Sequence, residues 1–82
     1  MNDRAIERLK WKSRRGLLEL DIVFDRFWKG AGTTMDEADV AALERLLALP
    51  DNDLLDLVMG RAETPEARLR PVLDKLRAAE AP

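Results

Sequence analysis

The side chains able to do chemistry in this chain are nearly all of two kinds, sixteen carboxylates and fourteen lysine or arginine cations. There is no Cys, no His and no Tyr, and Ser13 is the single serine. Disulfide and thiolate chemistry, zinc sites with His or Cys ligands, and nucleophiles activated by a histidine base are therefore excluded. The carboxylates could act as general acids, bases or magnesium ligands, but they are scattered along helical faces. A chain of 82 residues is too short to enclose a sizeable cleft around them. Neither an enzyme nor a metal site is expected; what charged groups on a small chain do well is recognise a partner.

One stretch concentrates such groups. Trp11-Lys12-Ser13-Arg14-Arg15-Gly16-Leu17-Leu18-Glu19-Leu20-Asp21 sets a glycine between a basic pair and an acidic, leucine-rich run. Without a Cβ, Gly16 can take the left-handed conformation that ends one helix and starts the next at a new angle, and another backbone can approach it closely. Charge is unevenly spread around it. Residues 1–15 hold six basic and two acidic side chains, a net of +4, whereas residues 31–60 hold one basic and seven acidic, a net of −6. Such a dipole of patches orients a protein partner more readily than it binds a polyanion, which the acidic half would repel.

The elements that must position this corner are all helical. Apolar residues recur at three- and four-residue steps, no strand alternation or internal repeat is visible, and 46% hydrophobic with 37% charged residues suits a folded, soluble chain. The expected fold is all-α, a single domain over 1–82 of about five short helices. The first starts at Asn2 or Asp3, buries Ile6 and Leu9, and ends near Arg14 or Arg15. The second runs from about Leu17 to Trp28 with Leu17, Leu20, Phe24 and Phe27 inward and Glu19, Asp21, Asp25 and Arg26 outward. Gly30-Ala31-Gly32-Thr33-Thr34 forms the longest loop. The third is capped by Thr34 with Glu37 or by Asp36 with Asp39, buries Val40, Leu43, Leu46 and Leu47, and reaches about Leu49 before Pro50. A short fourth, capped by Asp51 or Asp53, turns Leu54, Leu57 and Val58 inward and closes at Gly60. The last starts at Thr64-Pro65-Glu66 and kinks or restarts at Pro71, because an interior proline costs about 3 kcal/mol. Val72, Leu73 and Leu76 pack beyond it, and Ala78 to Pro82 fray.

The corner has a purely structural explanation: Gly16 caps a helix, Glu19 favours the positive end of the second helix, and Arg15 is solvated. That account leaves unexplained why Arg14 and Arg15 directly precede the glycine while Glu19-Leu20-Asp21 directly follows. The string resembles the RGxxE signature of the succinate dehydrogenase assembly factors, the flavinator family. The resemblance covers most of the chain, through its size, its helical pattern, and Arg45-Leu46-Leu47 followed by Asp51-Asn52-Asp53-Leu54, which are similar to the family's leucine-rich third helix and acidic fourth-helix cap. Leu17 stands where the family often has methionine, and Leu57 where an aromatic is frequent. The resemblance implies an assembly factor that binds the flavoprotein subunit of succinate dehydrogenase or fumarate reductase and promotes covalent FAD attachment to a histidine of that partner. FAD then belongs to the partner and no cofactor is tightly bound here. It also implies that Arg15, Gly16 and Glu19 face the flavoprotein, with Arg14, Asp21 and Trp11 beside them.

The basic arm 8–15 offers a second reading, a small helical nucleic-acid-binding regulator in which cations meet phosphates and Trp11 stacks on a base. A sequence pI near 5.1 argues against it. The bland account of Trp11 and Trp28 is partial burial at the edge of the core, and the acidic run Asp36 to Asp56 reads as helix caps and a solvated face. No apolar run is long enough for a membrane span. The first ten residues lack the pattern of a secretory or transit signal, which points to a cytoplasmic protein, with a processed matrix protein as the alternative. A monomer is expected in the absence of the partner.

Overall fold

Helical periodicity with capping residues at the breaks folds the chain into α1 (Asp3–Lys12), α2 (Leu18–Lys29), α3 (Glu37–Leu47), α4 (Asp51–Val58) and α5 (Arg70–Glu80), preceded by a 3₁₀ turn at Ala67–Leu69. The structure, a computed structural model, describes residues 3–30 and 35–80, and no strand occurs among the described residues. Asn2 as a cap, Thr34 as a cap, residues 31–34 of the expected loop, and Ala81 and Pro82 lie outside the described residues.

α1 ends at Lys12, two to three residues earlier than its basic tail suggested. The reason is Ser13, whose hydroxyl donates to Lys10 O at 2.7 Å while its own N–H still reaches Leu9 O at 2.9 Å. A serine bonding back to the preceding turn competes with continued helix. Arg14 to Leu17 then form a non-helical linker, and Gly16 takes φ +71° within it, the left-handed geometry its type allows.

α3 starts with the Asp36 and Asp39 pair: Asp39 N–H donates to Asp36 Oδ1 at 2.8 Å and Asp36 N–H to Asp39 Oδ2 at 3.3 Å. α3 stops at Leu47, since Leu49 precedes Pro50 and is biased away from helical geometry. The expected aspartate caps of α4 are not formed. Pro50 is the N-cap residue, and Asp51 and Asp53 lie in the first turn, where the helix dipole favours carboxylates. α4 closes at Gly60 (φ +78°): Gly60 N–H donates to Leu57 O at 3.2 Å and Arg61 N–H to Asp56 O at 2.8 Å, the paired bonds of a left-handed helix stop. α5 restarts at Arg70, so Pro71 falls in the first turn, where a missing N–H costs nothing. It continues to Glu80, so Ala78 to Glu80 are helical and not frayed.

α2 packs along α5, α1 against α3, and α3 and α4 against α5. Leu9, Leu20, Phe24, Phe27, Leu43, Leu46, Leu54, Val58, Val72, Leu73 and Leu76 are essentially inaccessible. Each leucine or phenylalanine so buried contributes about 1.5–3 kcal/mol relative to exposure. Val23, Met35, Ala42 and Leu69 join this core without having been expected there, while Leu17 and Val40 pack only at its edge.

Candidate functional site

The linker between α1 and α2 is pinned from two sides. In front, Arg15 N–H donates to Asp21 Oδ1 at 3.1 Å, so the Asp21 carboxylate folds back onto the linker instead of pointing outward. Behind, the Arg15 guanidinium crosses to the joint between α3 and α4. One Nη donates to Leu47 O, and the other to Leu49 O at 3.4 Å and to Asp51 Oδ1 at 3.1 Å. The Arg15 side chain is only 16% exposed. It is not a solvated cation, then, but a fork seated on the carbonyls that end α3, where the helix dipole is negative.

Held in this way, the remaining motif groups are presented outward. Arg14, Gly16 and Glu19 are exposed, with Glu19 in the first turn of α2. A Cβ placed on Gly16 would have no atom within 4 Å, so the space in front of it is open. Trp11 is 71% exposed, against the expectation of partial burial, and the Arg14 guanidinium stacks over its ring at 5.7 Å. Trp28 is the edge-of-core residue expected: its ring packs on Phe27 at 5.1 Å and its Nε1–H donates to Ser13 Oγ at 3.1 Å. Lys10, Ser13, Arg14, Gly16, Asp21, Phe24, Asp25 and Trp28 line a cleft of about 590 Å³ beside the linker.

Two apolar side chains were missed at this corner. Leu18 is 72% and Ile22 43% exposed, one turn apart on the outer side of α2. Their signal was present in the sequence, since i and i+4 apolar residues lying off the stripe of Leu20, Phe24 and Phe27 have nowhere to be buried. The corner joins charged, aromatic and aliphatic groups, as interaction surfaces do. Arg4, Arg8, Lys12 and Arg14 form no ion pair among the described residues. No group of three or more described acidic residues converges as a metal site would require. No helix is long and apolar enough to cross a membrane.

Residues 7–80 match the family described as flavinator of succinate dehydrogenase. The chain belongs to that family. A FAD assembly factor of Ralstonia nicotianae is 50% identical over 76 residues, covering 87% of this chain and 79% of its own length. One from Pseudomonas savastanoi pv. phaseolicola is 35% identical over 80 residues, covering 93% and 95%, and one from Coxiella burnetii is 29% identical over 72 residues, covering 88% of each. No solved structure matches the chain. The family match takes in all of α2 to α5 and the whole linker, so the corner of Arg14, Gly16 and Glu19 lies inside the shared region.

Proposed function

We propose that this protein is a non-catalytic assembly factor that binds the flavoprotein subunit of succinate dehydrogenase or fumarate reductase and promotes covalent attachment of its FAD. The observation that carries the reading is the exposed corner of Arg14, Gly16 and Glu19, rigidly backed by Arg15 and Asp21, in a member of the flavinator family. Trp11, Leu18 and Ile22 supply the apolar contact and the unpaired cations of α1 the orienting charge. The chain contains no histidine, so the residue that receives the flavin lies in the partner.

The role left to a binder is selection. By docking more tightly to one arrangement of the flavoprotein, the factor raises the population in which flavin and acceptor are poised to react. Raising a state from about 1% to half requires roughly a hundredfold preference for it. A monomeric factor in the same compartment as its client suffices for this.

Co-purification with flavoproteins of the same host, followed by in-gel fluorescence of covalent flavin, tests the proposal. The expected result is a complex of one factor with one flavoprotein, more covalent flavin when the factor is present, and affinity that falls as ionic strength rises. Recovery of nucleic acid in place of a flavoprotein would overturn it in favour of the regulator reading.

A further inference from the structure

We infer that Arg15 and Asp51 form a latch that holds the docking linker in its binding geometry from behind, which makes both of them positioning residues and couples the α3–α4 joint to the partner surface. The inference rests on the docking role proposed for the corner. Asp51 is 36 residues away in sequence and no part of the motif, yet among the described residues it supplies the one anionic acceptor for the Arg15 guanidinium. The two carbonyls beside it, Leu47 O and Leu49 O, belong to the turn that ends α3 just before Pro50. The three acceptors therefore bracket the whole joint, and the guanidinium locks it to the linker.

Arg15 Nε is buried with no hydrogen-bond partner among the described residues, and an unmatched buried donor offsets part of what the fork gains. The ion pair is half open to solvent on its Asp51 side, 46% exposed, so its own share of stability is small. Replacing Arg15 alone would leave Asp51 and the Leu47 and Leu49 carbonyls without this donor, so loss of the fork costs some stability as well. What only the arginine fork provides is orientation. It fixes the residue preceding Gly16 at three points, while Asp21 fixes the backbone of the same residue at a fourth. With Arg15 held, Gly16 is obliged to turn at φ +71° and Arg14 and Glu19 are presented on either side of it.

Arg15→Lys and Asp51→Ala test the latch, because a lysine keeps the charge but cannot span the fork, and the alanine removes the anion. Amide hydrogen exchange in the free protein and affinity for the flavoprotein are the two readouts, with Gly16→Arg as a control for the corner. The expected result is faster exchange at the hydrogen-bonded Arg15 amide of the linker and at Ala48 and Leu49 of the joint, with unchanged exchange in α2 and α5, and about tenfold weaker binding for either variant. The double variant should bind no worse than either single one, since the pair acts as a unit. Unchanged exchange at the linker overturns the latch. A loosened linker with full affinity, while Gly16→Arg still blocks binding, overturns its positioning role but leaves the docking corner standing. If Gly16→Arg also binds normally, the docking reading itself fails.

Discussion

Two halves of this molecule treat their cations differently. Across α3 to α5, each arginine and lysine is engaged: Arg45 with Glu66, Arg61 with Asp56, Arg68 with Glu66, Arg70 with Glu63 and Asp74, Lys75 with Asp39, and Arg77 with Glu63. Arg77 also donates to Leu57 O at 2.9 Å and to Ala62 O at 3.1 Å, closing the end of α4 as Arg15 closes the end of α3. On α1 and the linker, by contrast, Arg4, Arg8, Lys12 and Arg14 form no ion pair among the described residues. Among the described residues, the large apolar side chains that stay exposed are Trp11 on α1 and Leu18 and Ile22 on the adjoining start of α2. One half has all its cations engaged and serves as scaffold; the other pairs Lys10 with Glu7 and Arg15 with Asp51 but leaves four cations available for a second protein. Surface ion pairs contribute little each, so the pattern teaches less about stability than about which face is free to bind.

The sharpest way to break this comparison is Gly16→Arg. Open space in front of Gly16 means an added Cβ meets no atom beyond its chain neighbours within 4 Å, and the cost is that of a side chain in a left-handed backbone, about 1–2 kcal/mol. A small domain with about 5 kcal/mol or more in reserve still folds. Circular dichroism should remain helical while binding and flavin attachment fall below detection. A folded variant that supports flavinylation at the normal rate would show that the free-charge half is not where the partner docks.

Leu46→Ala addresses the opposite half. Leu46 is fully buried in the core, and its truncation should cost about 2–5 kcal/mol and lower Tm by roughly 8–40 °C. Held well below its Tm, the variant should bind the flavoprotein with near-normal affinity. Strong loss of binding by a fully folded Leu46→Ala protein would mean that the scaffold half also touches the partner. Between the halves stands Ser13, 3% exposed, which accepts from Trp28 and donates to Lys10 O. Ser13→Ala strands the indole N–H, and the midpoint of chemical unfolding should fall by an amount equivalent to about 1–2 kcal/mol.

How much of this was legible follows from the range of the interactions involved. Local chemistry was readable: Gly16 and Gly60 as left-handed corners, the Asp36 and Asp39 cap, Pro71 as a restart, and the inward stripe of Leu20, Phe24 and Phe27. Each depends on residues within one or two turns. The misreadings were of groups whose partners lie far along the chain. Asp51, expected as a helix cap, instead meets Arg15 across 36 residues; Asp39 adds to its cap an ion pair with Lys75 on α5 at 3.0 Å. Arg15, expected at the surface, turns inward for the same reason. Of the two readings of Trp11, core edge or partner-facing, the first fails, because the inner face of α1 is filled by Ile6, Leu9 and Ser13. Periodicity tells which face a residue shares; it does not tell which distant acceptor an arginine will find.

The smallest effect separates the two halves most cleanly because it isolates contact from folding. Glu19 is exposed, makes no ion pair among the described residues, and lies in the first turn of α2, where a carboxylate interacts favourably with the helix dipole by about 0.3–1 kcal/mol. Glu19→Ala should therefore lower stability by well under about 1 kcal/mol, the ordinary range for a surface change. Its effect on affinity for the flavoprotein should exceed that figure if the carboxylate meets a donor on the partner, because a charged hydrogen bond at an interface contributes about 1.5–3 kcal/mol. Parallel urea unfolding and binding titrations compare the two losses directly. A binding loss no greater than the stability loss would remove Glu19 from the interface and confine docking to Gly16 and the cationic side of the corner; a stability loss of several kcal/mol would make Glu19 part of the scaffold and move the boundary between the halves past the start of α2.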